Sequence, residues 1–391
     1  MLFADIPGLD ATKHSLINTA RQGKVAHAQL FLGPAGSANL ALALAFATYL
    51  NADFQGKDGE IGDNPATSKL LKYIHSDIHF VFPVCATRNI TGKDVVSDSY
   101  IQEWRSFLTA HPYGDTVDWA SHFGAENKQL NISKEESRNI IRKLSLKSFE
   151  GRYKIVLLWM PEYLHPSAAN GILKILEEPP DNTIFLLVAQ DAENLLPTIL
   201  SRTQIVNIRA FNDDEVVQYL ANANDEVNNL QRSRQIATLS DGDMNQAIKL
   251  LNDLEGDSHQ LFRDWMRLCY GRDYQKIIAL VDQIFKLGKE SQKGLMHYGL
   301  SMMRETLIML TSDKLPLDGG QIVATEQKLI RIQGEELKFV SNFSKIMDFD
   351  KIERIMQWLN QGYYHLERNA SPKMVFLDIS LKIGQLLRQQ I

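Results

Sequence analysis

The sequence predicts an α/β domain built on a parallel sheet, followed by an all-helical remainder. Three observations carry that prediction. Ile155–Leu158 and Ile184–Val188 are short apolar runs that do not alternate with polar residues, as strands buried on both faces do. Between them Ser167 starts a helix whose Ala168, Ala169, Ile172, Leu173 and Leu176 form an apolar stripe. Pro179-Pro180 ends it, because proline lacks the donor and clashes with a continuing turn. Strand, helix and strand in that order make parallel neighbours. Beyond Ile208, finally, no strand pattern of any length appears.

Length and composition bound the rest. At 391 residues the chain is too long for one typical domain and suggests two or three, each with its own core. A formal net charge of −5 argues against gripping nucleic acid by bulk charge; any such contact must come from a local patch or from partner subunits. Cys85 and Cys269 are the only cysteines, which excludes a disulfide framework and a four-thiolate zinc site. The start MLFADIPGLD has no apolar signal core, and no run of about eighteen apolar residues occurs, so the expectation is a soluble, cytoplasmic protein.

Taken in order, Gln29–Leu32 reads as a strand, followed by a Gly/Pro loop and a helix rich in alanine and leucine. This is the layout of a phosphate-binding P-loop, whose chemistry needs G-x-x-x-x-G-K-[ST]: backbone donors cradle phosphates, lysine reaches the outer ones, and a hydroxyl binds Mg²⁺. Here the count runs Gly33-Pro34-Ala35-Gly36-Ser37-Ala38-Asn39-Leu40. Ala38 stands for the second glycine, Asn39 for the lysine and Leu40 for the metal ligand. Loss of the lysine alone removes a charge-assisted hydrogen bond worth roughly 1.5–3 kcal/mol. Read for chemistry alone, this is a glycine turn before a core helix.

Later in the chain AANGILKILEEPP is followed by ENLLPTILSRTQ. These segments resemble the clamp-loader branch of the AAA+ ATPases, whose bacterial members carry AANxLLKxLEEPP and LLPTIxSRC. HAQLFLGP likewise resembles the HAxLFxGP that opens the family's P-loop. The resemblance implies an AAA+ (P-loop NTPase-like) α/β domain over 1–208, a small helical lid over 209–255 and an all-helical collar over 256–391. It also implies that Arg202, between Ser201 and Thr203, projects into the ATP site of a neighbouring subunit. Thr203 replaces the family's cysteine, on which the guanidinium does not depend. The plain alternative for Arg202 is an ordinary surface or salt-bridged arginine.

Against the family pattern, the nucleotide-contacting positions have lost their charges together. A working site ends the Ile155–Leu158 strand with Asp-Glu; this chain has Trp159 and Met160, with Glu162 past the strand end as a poor substitute. Gln190 falls near the polar sensor of relatives. In Ser240–Leu251, Asn245 stands where active relatives carry a lid arginine, and Arg232 and Arg234 lie outside the motif.

The remaining segments carry weaker signals. Asn51–Val84 lacks the four cysteines of the zinc module common in bacterial members, and His75 and His79, spaced i, i+4, are poor grounds for a metal. Cys85–Gln129 reads as an insertion. Its Trp104, Tyr113 and Trp119 suit either stacking on single-stranded nucleic acid or, given Asp94, Asp98, Asp115 and Asp118, a helical excursion packed on the domain. Ile132–Phe149 reads as a helix with Ser133 and Glu136 as a capping box and Ile140, Ile141 and Leu144 on its buried face. Lys143, Lys147 and Arg152 near its end fit a phosphate-facing patch or a solvated helix end equally well. Asp213-Asp214-Glu215 opens the lid, and Gly256-Asp257 separates the final region. There Ile352, Ile355, Met356 and Leu359 share one face, as do Phe376, Ile379, Ile383 and Leu387 after the break at Asn369–Pro372. These stripes suit an oligomeric interface or an internal core; Met302 and Met303 are core or interface material.

The resemblance therefore implies a non-hydrolysing member of the DNA polymerase III clamp-loader family. No zinc and no ATP of its own are expected. The implied partners are gamma/tau-type and delta-type subunits, the sliding clamp and, through the complex, primer–template DNA, with no membrane. Two alternatives stay open: an active gamma/tau-type ATPase with an unusual site, and a standalone scaffold that kept the fold.

Overall fold

The computed structural model describes residues 1–52, 65–126, 128–145, 150–223, 230–253, 258–312, 332, 334–368 and 370–387. It divides into two compact units, Met1–Glu215 with Gly242–Asn245, and Val216–Asp241 with Gln246–Ile391.

The first unit holds a five-stranded sheet: β1 (Ala28–Leu32), β2 (Ile78–Val81), β3 (Lys154–Trp159), β4 (Thr183–Ala189) and β5 (Gln204–Asn207). The strand order is β2-β3-β4-β1-β5, and every neighbouring pair is parallel. This is the α/β layout expected from the unalternating apolar runs: β3 and β4 are buried along their whole length. Around the sheet lie α1 (Asp10–Arg21), α2 (Asn39–Asn51), α3 (Pro65–Leu71), α4 (Ile101–Ala110), α5 (Thr116–His122), α6 (Lys134–Leu144), α7 (Pro166–Glu177) and the short α8 (Pro197–Leu200). α7 ends one residue before Glu178-Pro179-Pro180, and Ile172 and Leu176 bury its stripe in the core against Leu158, Leu187 and Ile140. α2 is apolar on all sides because it is buried from Asn39 to Thr48.

His79 lies in β2, where it pairs with Val156, within the apolar run Ile78–Val84 that only His79 and Pro83 interrupt. One expectation fails because a tertiary partner overrides a local signal. Ser133 does cap α6 by position, but its side chain makes no capping bond. Glu136 instead turns away to accept the backbone N–H of Ser97 at 2.5 Å, burying its carboxylate and raising its pKa to about 7.

The second unit is helical among the described residues. It contains most of α9 (Asp213–Ala223) and α11 (Met244–Asp253), together with α10 (Leu230–Ser240), α12 (Ser258–Gly271), α13 (Tyr274–Phe285) and α14 (Lys289–Ser312). α15 (Gly334–Ser344), α16 (Phe349–Glu367) and α17 (Pro372–Leu386) complete it. The stripes on α16 and α17 are internal core: Ile355, Leu359, Phe376 and Ile383 are fully buried, as are Met302 and Met303. Residues 53–64 of the stretch Asn51–Val84, the helix end bearing Lys147, the Gly256-Asp257 break and Asn369 fall outside the described residues. No described helix is long and apolar enough to cross a membrane.

Candidate functional site

Parallel strands bring the loops after β1, β3 and β4 to one edge of the sheet, the edge at which open α/β sheets hold ligands. Gly33, Met160 and Gln190 stand first in those loops. The loop after β1 is closed by its own chain. Asn39 is buried, and its Nδ2 donates to the carbonyls of Gly33 (3.2 Å) and Ala189 (3.1 Å) while its Oδ1 accepts the Leu40 N–H (2.7 Å). The amide thus ties the loop to the end of β4, the strand partner of β1. Leu40, Ala38 and Ser37 are buried too, and the Ser37 hydroxyl has no hydrogen-bond partner. Gly36 has φ +67°, and a Cβ there would lie 1.8 Å from an Asp243 carboxylate oxygen. The Met244 N–H donates to the Gly36 carbonyl at 3.0 Å. These residues do not fit a Mg²⁺–nucleotide: a phosphate on the loop would meet the Asp243 carboxylate, with no lysine at Asn39 and no hydroxyl at Leu40 to hold it or its metal.

The end of β3 is apolar in the same way. Trp159 is 1% exposed and packs on Trp104 (centroids 5.0 Å) and Phe107 (5.9 Å) of α4. Trp104 stacks on Phe82 at 4.2 Å, and Trp119 of α5 meets Trp104 edge-on at 5.1 Å and donates its indole N–H to the Pro83 carbonyl. Where an acid would hold metal, a tryptophan anchors the 85–129 insertion through one aromatic cluster. Trp104, Tyr113 and Trp119 are all buried, which excludes base stacking by these rings and leaves the packed helical excursion. Met160 is buried with φ +56°, its N–H bonded to the Val188 carbonyl.

The two remaining nucleotide positions are also engaged. Asn245 donates to the Asp118 carboxylate of α5 at 2.6 Å, so the residue at the lid-arginine position binds the insertion. Glu162 accepts the N–H groups of Gln190 (2.9 Å) and Asp191 (3.4 Å), capping the turn after β4, and burial raises its pKa. Among the described residues no cluster of three or more His, Cys, Asp and Glu could hold a metal ion. Burial lowers the pKa of His75, and burial with Lys143 and Lys154 nearby pushes that of His79 down to about 4. Lys143 is ion-paired with Asp98, and Arg152 lies over the Tyr153 ring.

Arg202 shares none of these contacts. It follows α8 at a partly exposed corner, its side chain one-third exposed, immediately before edge strand β5. Its Nε donates to Glu177 Oε1 at 2.7 Å, Nη2 pairs with the same oxygen, and Nη1 donates to the Thr198 carbonyl (2.9 Å) and the Ser201 hydroxyl (3.2 Å). Thr203 returns its hydroxyl to the Ile199 carbonyl, so the residue in the cysteine position serves the turn. Sequence reasoning missed Glu177, although it lies in the LEEPP segment, because its partner is 25 residues away.

Fold and site define the class: an α/β domain on a five-stranded parallel sheet with a helical continuation. Residues 8–212 match the family described as DNA polymerase III, delta subunit, which is more than half of the chain, and the chain belongs to that family. Among its relatives, DNA polymerase III subunit tau of Bacillus subtilis is 22% identical over 420 aligned positions, covering 100% of this chain and 66% of tau. Subunit delta′ of Haemophilus influenzae is 36% identical over 90 residues, covering 23% of this chain and 28% of delta′. The chain thus spans less than two thirds of the length of these relatives. Among solved structures, a DNA polymerase III gamma subunit-related protein of Thermotoga maritima aligns over 95% of this chain and 99% of its own at 16% identity, with a TM-score of 0.37.

Proposed function

We propose that this chain is a non-hydrolysing, delta-prime-like stator subunit of a DNA polymerase III clamp loader. In this reading it helps load the sliding clamp on primer–template DNA and lends Arg202 to the ATP site of an adjacent gamma/tau-type subunit. The observation that carries the reading is the contrast within the first unit. Asn39, Trp159 and Asn245 are spent on internal contacts where a nucleotide would need charge, while a guanidinium stands at the surface. The chain then binds neither ATP nor zinc and works in the cytoplasm beside gamma/tau-type and delta-type subunits. Residues 209–255 form its lid and 256–391 its collar. Exposed Tyr274, Ile278 and Phe285 on α13 and Met374 and Leu381 on α17 give that collar apolar surface to bury.

Two measurements test this. Titration of the full chain with Mg²⁺–ATP should give no binding in the micromolar range; micromolar affinity would favour an active gamma/tau-type ATPase. In a loader reconstituted with gamma/tau-type and delta-type subunits, clamp and primed DNA, Arg202→Ala should cut the ATPase rate by roughly 10³-fold or more, the scale of trans-acting arginines. An unchanged rate with assembly intact would leave the standalone scaffold ahead.

A further inference from the structure

We infer that Glu177 is a positioning residue for Arg202, a counter-ion that holds the guanidinium away from phosphate until the neighbouring site forms. The inference rests on the trans-acting role proposed above and adds a control element to it. The ion pair joins the last residue of α7 to the turn after α8. A guanidinium carries five N–H bonds in a fixed plane. Glu177 accepts the Nε hydrogen and ion-pairs with Nη2, and Nη1 donates to the Thr198 carbonyl and the Ser201 hydroxyl. Bidentate recognition of phosphate needs two parallel donors on one edge, and each edge of this guanidinium has a donor already engaged. On the Nη1–Nη2 edge Nη1 is already bonded, and the Nε–Nη2 edge is the one that Glu177 occupies. A phosphoryl oxygen approaching there would also face the Glu177 carboxylate, which offsets the positive charge meant to stabilise it.

The pair has to open for the arginine to act, and its cost is small enough for that. Arg202 and Glu177 are 33% and 48% exposed, and exposed ion pairs hold weakly. A counter-ion of this strength damps a rate by about two- to five-fold. It would act most where the subunits are not pressed together, that is, without clamp and DNA.

The test is the ATPase rate of the reconstituted loader without clamp or DNA, carrying this chain as wild type, Glu177→Gln, Arg202→Ala or the double variant. Glu177→Gln keeps the size of the side chain at an exposed position and should raise the basal rate about two- to five-fold. In the Arg202→Ala background the same change should do nothing, which separates action through Arg202 from a structural effect at the end of α7. An unchanged or lowered basal rate for Glu177→Gln overturns the inference while the loss in Arg202→Ala keeps the finger. A wild-type rate for Arg202→Ala overturns the finger itself, and the inference with it.

Discussion

At the ends of β1 and β3 Asn39, Leu40, Trp159 and Met160 are buried, while at Ser201-Arg202-Thr203 the chain leaves a charge at the surface. Both regions belong to one α/β unit. At the first, Asn39 binds backbone carbonyls, Trp159 sits in an aromatic cluster and Asn245 binds Asp118. At the second, Arg202 is held by an exposed glutamate, a contact that breaks cheaply. Under the proposed function the difference would mean that an α/β scaffold gives up its own site and keeps the surface it offers to others. Acids and lysines are costly to bury without a ligand to pair them. At these strand ends an amide and an indole stand in the core instead.

That comparison breaks most visibly through Trp159. Trp159→Ala should destabilise the chain by about 3–5 kcal/mol, read as a lowered urea midpoint, because it opens a cavity under α4 and α5. A change below about 1 kcal/mol would mean that the insertion does not lean on β3. Next comes Glu136, which fixes α6 to Ser97 from inside the same unit. Its folded pKa of about 7 lies above the ordinary 4.5, so the protonated form is favoured in the fold. Stability is then fully present below pH 4.5 and is lost as pH rises toward about 7. At about 1.36 kcal/mol per pKa unit the loss is at most about 3 kcal/mol. Glu136→Gln should flatten the unfolding free energy between pH 4.5 and 8; an unaltered slope would show that this carboxyl is ionised at no cost.

A smaller effect is expected at Asn39. Asn39→Ala removes the amide's hydrogen bonds to the Gly33 and Ala189 carbonyls and from the Leu40 N–H, at about 1–3 kcal/mol, while the Ala189 carbonyl keeps the Gly33 N–H. The companion change, Asn39→Lys, should not create Mg²⁺–ATP binding, since the Asp243 carboxylate still stands over Gly36. Tight binding by that variant would show that the cleft is only one side chain from working.

How much of this the sequence disclosed depended on whether a signal was local. The β3–α7–β4 unit was legible because unalternating runs, an apolar stripe and a proline pair all lie between Ile155 and Val188. The departures at Asn39, Leu40, Trp159 and Met160 were legible as missing chemistry, though not as what replaced it. That Trp159 supports the insertion, or that Asp243 covers Gly36, depends on residues far apart in the chain. The capping box at Ser133 failed for the same cause: a local pattern was satisfied on paper while Glu136 bonded Ser97, 39 residues away. The two readings of the α16 and α17 stripes could be separated only by burial.

The smallest effect on the isolated chain should come from the residue on which the proposed function turns. Arg202→Ala removes a partly exposed ion pair and three side-chain hydrogen bonds at a surface turn, worth no more than about 1 kcal/mol, so the urea midpoint should barely move. In the assembled loader the same change should produce the largest loss of activity. Stability effects descending from Trp159 through Asn39 to Arg202, with the order reversed for ATPase rate, are what a silent core and a lent arginine require. A large stability loss for Arg202→Ala would make the residue a structural strut. The contrast between the two regions would then collapse into a single kind of packing.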